Sequence, residues 1–258
     1  MTSGSAGRPR KRLEGRVAIV SGAGQGIGRA LALGFAREGA SVVIAEIDEG
    51  NALRVERELK ASGLRGLAIS TDVSQEASTS GMMRRCLNEF GRIDILVNNA
   101  GIYPVSSVEE MAEAEWDRVI GTNLVGAFFC SRAVVPEMLE RRSGRIINLS
   151  SGRGFQGAKD GAHYAATKAG LIGFTKALAL ELAPHGITVN ALCPGITDTA
   201  QPRGNMTEQE LYARAKDIPL GRIGQPDDHV GPAVFLASDA ARFITGQVVF
   251  VNGGSVMW

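Results

Sequence analysis

At 258 residues the chain is too long for a small cross-linked module and has room for one or two domains. Its 28 Lys+Arg against 27 Asp+Glu leave a net charge of +1, which excludes a binder that engages nucleic acid or membrane through a whole-domain basic excess. A 44% hydrophobic, 21% charged composition supports a large core and excludes global disorder, while 33 glycines exceed the usual share of ~7%.

The first residues, MTSGSAGRPRKR, carry basic side chains around Pro9 with no apolar stretch. They read as a disordered basic tail over 1–12, not a signal peptide, so the folded domain is expected over 13–258. Val17–Ser21 is a short β-branched apolar run of buried-strand length, followed by a glycine turn and the helical pattern RALALGFAREGA. Further strands are predicted at SVVIAE from Ser41, GLAIST near residue 70, IDILVN from Ile93, RIINLS from Arg145, ITVNAL from Ile187 and QVVFVN from Gln247. Helical patterns such as Asn51–Ala61 and Tyr164–Ala183 separate them. Alternating β and α segments with near-continuously apolar strands predict a single doubly wound α/β domain of Rossmann type. It has a seven-stranded parallel sheet with helices on both faces. No linker divides it.

Cys86, Cys130 and Cys193 are odd in number and widely spaced, as expected of buried thiols in a reducing, cytoplasmic setting. His163, His185 and His229 show no metal-ligand spacing, so no metal is expected. No charge-free run reaches the ~18 apolar residues of a membrane helix.

The turn after the first strand reads SGAGQGIG, from Ser21 to Gly28. Glycines there let the backbone turn tightly against a pyrophosphate, which the following helix N-terminus stabilises with free N–H groups. The spacing is Gly22-xxx-Gly26-x-Gly28, not the GxGxxG of the common dinucleotide fingerprint, because Ile27 stands where that fingerprint has its third glycine. A tight turn without a ligand fits the glycines equally well when they are read alone. Glu46 ends the second strand 18 residues after Gly28, near the ~20 at which a carboxylate meets an adenosine ribose. Such a carboxylate accepts ribose hydroxyls and repels a 2′-phosphate, and neither Gln25 nor Ile47 supplies a cation for one. NAD is therefore expected over NADP.

From about residue 12 to its end the chain resembles the short-chain dehydrogenase/reductase family. Ser21-Gly22-xxx-Gly26-x-Gly28 is similar to the family's TGxxxGxG turn, with Ser for Thr. Asp72-Val73, the NNAG segment Asn98–Gly101, Asn123 in GTNLVG, Ser151 in INLSS, Tyr164-xxx-Lys168 and Pro194-Gly195 follow in the family's order. The resemblance implies that Ser21, Gly22, Gln25, Gly26, Ile27, Gly28, Glu46, Asp72, Val73, Asn99, Ala100, Gly101, Tyr164, Lys168, Pro194, Gly195, Thr197 and Thr199 line the cofactor. It also implies a catalytic set of Asn123, Ser151, Tyr164 and Lys168. Tyr164 would be general base or acid, Lys168 would lower its pKa and bind the ribose, Ser151 would hold the substrate oxygen, and Asn123 would support a water relay. The residues agree: Tyr164 and Lys168 share one helical face, and an ammonium beside a phenol favours the phenolate.

Substrate choice is expected from Ile102–Val105, Gly152–His163 and a mobile lid over about 196–220, helical from Met206. Gln156 and His163 are candidate hydrogen-bond donors to substrate alongside Ser151 and Tyr164, and Tyr103 and Phe155 candidate apolar walls. In the helix near the C-terminus, Pro232 is tolerated if the helix starts near Pro226–Asp228. The leading expectation is NAD-linked hydride transfer on a secondary alcohol or ketone. The alternatives are an NADPH-dependent carbonyl or 3-oxoacyl thioester reductase, and a non-catalytic NAD-sensing regulator. The resemblance further implies a homotetramer or dimer, to which Val256–Trp258 could contribute.

Overall fold

The computed structural model describes residues 11–258, so most of the expected basic tail lies outside the described residues. Arg12 belongs to the fold: its guanidinium lies 2.7 Å from the Glu38 carboxylate, which also accepts the Arg12 amide at 3.0 Å.

Seven parallel strands form one sheet in the order β3-β2-β1-β4-β5-β6-β7. They are β1 (Val17–Ser21), β2 (Ser41–Glu46), β3 (Gly66–Ser70), β4 (Ile95–Asn98), β5 (Gly144–Leu149), β6 (Ile187–Pro194) and β7 (Val248–Val251). The strands are mainly apolar because both faces are covered, and the polar residues within them, such as Asn98, Asn148 and Asn190, are buried. Ala18, Val20, Val42 and Ile44 join one core, under α1 (Gly26–Arg37), α2 (Glu49–Ala61) and α10 (Val230–Ala237). Val17, Ile19, Val43 and Ala45 alternate into the other, under α3 (Glu76–Phe90), α5 (Gly126–Arg141) and α7 (Ala162–Leu182). Each fully buried Leu, Ile or Phe in these cores contributes about 1.5–3 kcal/mol. Cys86, Cys130 and Cys193 are free and buried, and burial pushes all three thiols up to about 12.

A short α4 (Glu113–Ile120) continues through one π turn, Gly121–Val125, into α5. This run is long and apolar enough to meet a length-and-composition test for a membrane span. Here its Val119, Cys130, Val134 and Met138 are wholly buried in the protein.

After β5 comes a single turn, α6 (Arg153–Gln156). The segment after β6 departs from expectation. Instead of starting at Met206, helix begins at α8 (Ala200–Asn205), breaks at the extended Met206, and resumes as α9 (Glu208–Ala213) behind a Thr207–Glu210 capping box. Pro202 sits in the first turn of α8, where its missing N–H removes no helical hydrogen bond.

A 3-10 turn over Pro226–His229 leads into α10 and places Pro232 in that helix's first turn, as expected. His229 is wholly buried there. Its Nε2 lies 2.9 Å from Thr197 Oγ1, whose hydroxyl donates to the Gly195 carbonyl, so the imidazole donates through Nε2. Nδ1 has no partner among the described residues, and burial pushes the imidazole down to about 4. Between pH 6.5 and about 4 the unfolded chain therefore takes up a proton that the folded chain refuses. Stability is lost as pH falls through that window, by up to about 3 kcal/mol. Denaturant unfolding of the His229→Gln variant between pH 4 and 7 is expected to show a flatter acid limb than the wild type; equal slopes would refute this role.

Candidate active site

Apart from Tyr164 and Lys168 of α7, the candidate cofactor residues and Ser151 lie at the turn and carboxyl end of β1 and in the segments at the carboxyl ends of β2 to β6. They stand beside the crevice where the strand order reverses between β1 and β4, and Lys168 reaches the end of β5. Helices leave that crevice toward opposite faces, which is where open α/β sheets bind ligands. Two loops close on each other there. The Ser21 hydroxyl accepts the amides of Asn99 (3.0 Å) and Ala100 (3.1 Å) and donates to the Val97 carbonyl. In return the Asn99 side-chain amide donates to the carbonyls of Ser21 and Gly22, at 2.9 and 3.0 Å. Asn99 thus acts on the turn itself.

The glycines follow from this closeness. Gly22 has φ +62°, and a Cβ there would lie 2.8 Å from the Ala100 Cα. A Cβ on Gly28 would lie 2.1 Å from the Gly22 carbonyl oxygen. Helix α1 then begins after its N-cap Gln25, with no side-chain cap and no acidic residue in its first turn. Free N–H groups behind this glycine-rich turn fit a pyrophosphate. Ser21, Gly22, Gln25, Gly26, Ile27 and Gly28 are the residues that would hold it, with Thr199 packed 3.2 Å from a Cβ placed on Gly26.

Glu46 lies where expected, but its carboxylate is already engaged. It accepts the Gly24 amide at 2.9 Å and those of Ile47 and Asp48 at 2.9 and 3.3 Å. The expectation of no cation nearby needs correcting. Arg54, on the facing side of α2, donates to the Gly24 carbonyl at 2.9 Å. Thirty residues separate the two in sequence, so inspection of the turn alone misses the arginine. Asp72 accepts the amide and hydroxyl of Ser74, and Val73 packs on Gly126 at the start of α5.

Helix α7 carries Tyr164 and Lys168, both buried. Lys168 Nζ donates to the Leu149 carbonyl at 2.7 Å and lies 5.5 Å from the Tyr164 ring centre. No carboxylate among the described residues faces it, and burial pushes it down to about 8. Burial likewise raises the Tyr164 phenol, opposed by hydrogen bonds to Ser151 and to Gln201 of α8. Gly101 closes the arrangement, since a Cβ there would lie 3.3 Å from Asn123 Oδ1 and 3.6 Å from Lys168 Nζ. Asn123 sits in the π turn, and its side chain takes both backbone groups of Ile102: Oδ1 accepts the amide at 2.8 Å and Nδ2 donates to the carbonyl at 2.9 Å. The Thr197 hydroxyl is held by Gly195 and His229.

Around the phenol the expectations divide. Tyr103 stacks on Tyr164, with ring centres 4.1 Å apart and planes inclined by 21°. Phe155 instead packs with Phe250 and Trp258, away from the phenol. Gln156 is exposed at the end of α6. His163 is not a rim donor: it is wholly buried and bonded within the protein. Gln201 and Arg54 are site residues that sequence reasoning missed.

A family model described as enoyl-(acyl carrier protein) reductase matches residues 22–256. The chain is 44% identical over 243 residues to the 3-oxoacyl-acyl-carrier-protein reductase FabG of Staphylococcus aureus, covering 93% of this chain and 98% of that protein. It is 40% identical over 242 residues to the hydroxy(phenyl)methylsuccinyl-CoA dehydrogenase subunit BbsD of Thauera aromatica, covering 94% and 97%. A solved structure from Beutenbergia cavernae, provisionally described as an NAD(P)-dependent gluconate 5-dehydrogenase with NADP at low occupancy, superposes with a TM-score of 0.90. It is 41% identical, and the match covers 95% of this chain and 98% of that one.

Gly28→Ala is expected to lower the melting temperature and weaken NADH binding, read by nucleotide fluorescence, at least tenfold. Gly231→Ala, with nothing within 4 Å of the added Cβ, should leave both unchanged or raise stability slightly. Equal behaviour of the two variants would refute the close-approach argument.

Proposed function

The chain belongs to the short-chain dehydrogenase/reductase family and is an NAD(P)-dependent oxidoreductase acting on CH–OH or carbonyl groups; from this premise we propose that it oxidises a secondary alcohol with NAD, Tyr164 serving as general base. The observation that carries the reading is Tyr164 and Lys168 buried together beside Ser151, with the glycine turn opening onto the same crevice. The nicotinamide, when bound, supplies the hydride acceptor for oxidation or donor for reduction. Ser151 holds the substrate oxygen and Tyr164 Oη takes the alcohol proton. Lys168, as the ammonium, favours the phenolate. Asn123 holds the Ile102 backbone at the rim of the site, and water reaching Lys168 past this rim would carry the proton away. Gln201, on the phenol in this structure, must withdraw for a substrate oxygen to approach, which supports a lid over about 196–220.

Tyr164→Phe is expected to lower kcat by at least 10³-fold while NADH still binds; retained turnover would refute the assignment. Because burial raises the phenol, kcat/KM for oxidation should rise from neutral to alkaline pH, where Tyr164 loses its proton. Ketone reduction, which needs the protonated phenol, should fall over the same limb. Lys168→Met should move both limbs to higher pH. The substrate panel for these measurements comprises polyols, cyclic secondary alcohols, hydroxy acids and 3-hydroxyacyl thioesters, with the corresponding ketones.

For the cofactor, Glu46 supports NAD and Arg54 supplies a cation for a 2′-phosphate. With NAD preferred, Glu46→Ala should lower the NAD/NADP ratio of kcat/KM about tenfold, and Arg54→Ala should raise it. A strong NADP preference in the unaltered enzyme would overturn the reading. Arg54, together with two relatives named for acyl-thioester substrates, favours a second reading as a 3-oxoacyl thioester reductase. Within the same proposal the protein is a homotetramer or dimer in the cytoplasm. Exposed Trp116 and Phe128 near α5, and Leu180, Phe243 and Trp258 elsewhere, support association, and three buried free thiols fit a reducing compartment.

A further inference from the structure

The catalytic helix begins without an ordinary cap. Gly161, at its N-cap, offers no side chain, no acidic residue stands in the first turn, and the first helical bond runs from Ala165 N–H to the Gly161 carbonyl at 2.9 Å. One first-turn donor, the amide of Tyr164, is taken up by the neighbouring side chain: it donates to His163 Nδ1 at 2.8 Å. An accepting Nδ1 leaves the imidazole proton on Nε2, which points at Glu115 Oε1 of α4, 3.3 Å away. The imidazole is wholly buried and the Glu115 side chain only 26% exposed.

We propose that Glu115 and His163 are a positioning pair for the reaction: Glu115 holds the imidazole proton on Nε2, so that Nδ1 stays an acceptor and fixes the backbone of Tyr164. The chain of contacts runs from α4 through one buried ring to the amide of the residue that moves the proton. On the other side, Tyr103 stacks on the Tyr164 ring and packs against Gly161, where an added Cβ would lie 2.7 Å from the Tyr103 ring. Tyr164 is thus held at its backbone by the pair and at its ring by Tyr103, while its hydroxyl faces Ser151 and Gln201. A small displacement of a proton-transfer group lowers the rate far more than it lowers binding, so the pair should act on kcat. The inference rests on the proposed role of Tyr164.

The test uses the full chain with the best substrate from the panel above, alongside NADH fluorescence and hydrogen exchange of the Tyr164 amide. His163→Leu and Glu115→Leu are each expected to lower kcat about tenfold and speed exchange of that amide, with NADH affinity within twofold. His163→Asn, whose Oδ1 stands in for Nδ1, and Glu115→Gln, which keeps its acceptor, should restore kcat to within about threefold of wild type. The double leucine variant should be no worse than either single one, because both act through one chain of contacts. Should His163→Leu fail to fold, Glu115→Leu carries the same comparison. The pair is refuted if kcat and amide exchange stay within twofold, if His163→Asn is as impaired as His163→Leu, or if the two effects multiply. Turnover that survives in Tyr164→Phe would instead refute the role of Tyr164 itself, so the two failures are distinguishable.

Discussion

One hydroxyl joins the two halves of this site. Ser21 Oγ accepts two successive amides from the segment after β4, and Asn99 returns two bonds to the turn after β1. Sheet order makes β1 and β4 neighbours although they lie far apart in the chain, and their helices diverge from that point. Left to themselves, the two loops would stand apart with unpaired backbone groups at the sheet edge, a condition that buried backbone avoids. Drawn together, they leave room for no side chain where they cross, which is why Gly22 faces the Ala100 Cα. The same closure carries Gly101 to Lys168, so the turn and α7 share one crevice.

Within that crevice the electrostatics run against the usual stability rules. Lys168 is buried with a carbonyl and an aromatic face for company, and burial alone moves it down to about 8. Surface pairs such as Arg12–Glu38 contribute little to stability, about 0–1 kcal/mol each. An unpaired buried ammonium has the opposite sign: it is a cost that the fold carries, and such perturbed groups gather at functional sites. The phenol is displaced the other way by the same burial. Lowered only to about 8, Lys168 still carries its charge near neutral pH, where an ammonium favours the phenolate form of its neighbour.

What the sequence made legible follows the range of the interactions. Strand positions came through because a parallel sheet covered on both faces demands unbroken apolar runs, and VAIVS and SVVIAE end where β1 and β2 end. Tyr164 and Lys168 could be paired on paper because four residues is one helical turn. Arg54 at Gly24, Glu115 at His163 and His229 at Thr197 could not, because each contact is made by tertiary packing across 30 or more residues. The start of α8 was missed for a local reason. Pro202 and Gly204 read as loop residues, yet a proline in a first turn leaves the helix intact.

Two helix N-termini in this protein meet the same demand in opposite ways. Each begins with N–H groups that have no partner within the helix. Helix α1 leaves them uncapped behind a glycine-rich turn, so the positive end of its dipole faces the crevice and suits a diphosphate. Helix α7 begins at a glycine too, but it is packed against Tyr103 and has no such opening. An imidazole backed by a carboxylate takes up one of its first-turn donors, the Tyr164 amide, from within the chain. An open N-terminus serves a ligand that comes and goes, whereas a residue that must hold still through every turnover needs an internal partner. On this argument the first glycine-led helix is built to bind and the second to stay in place.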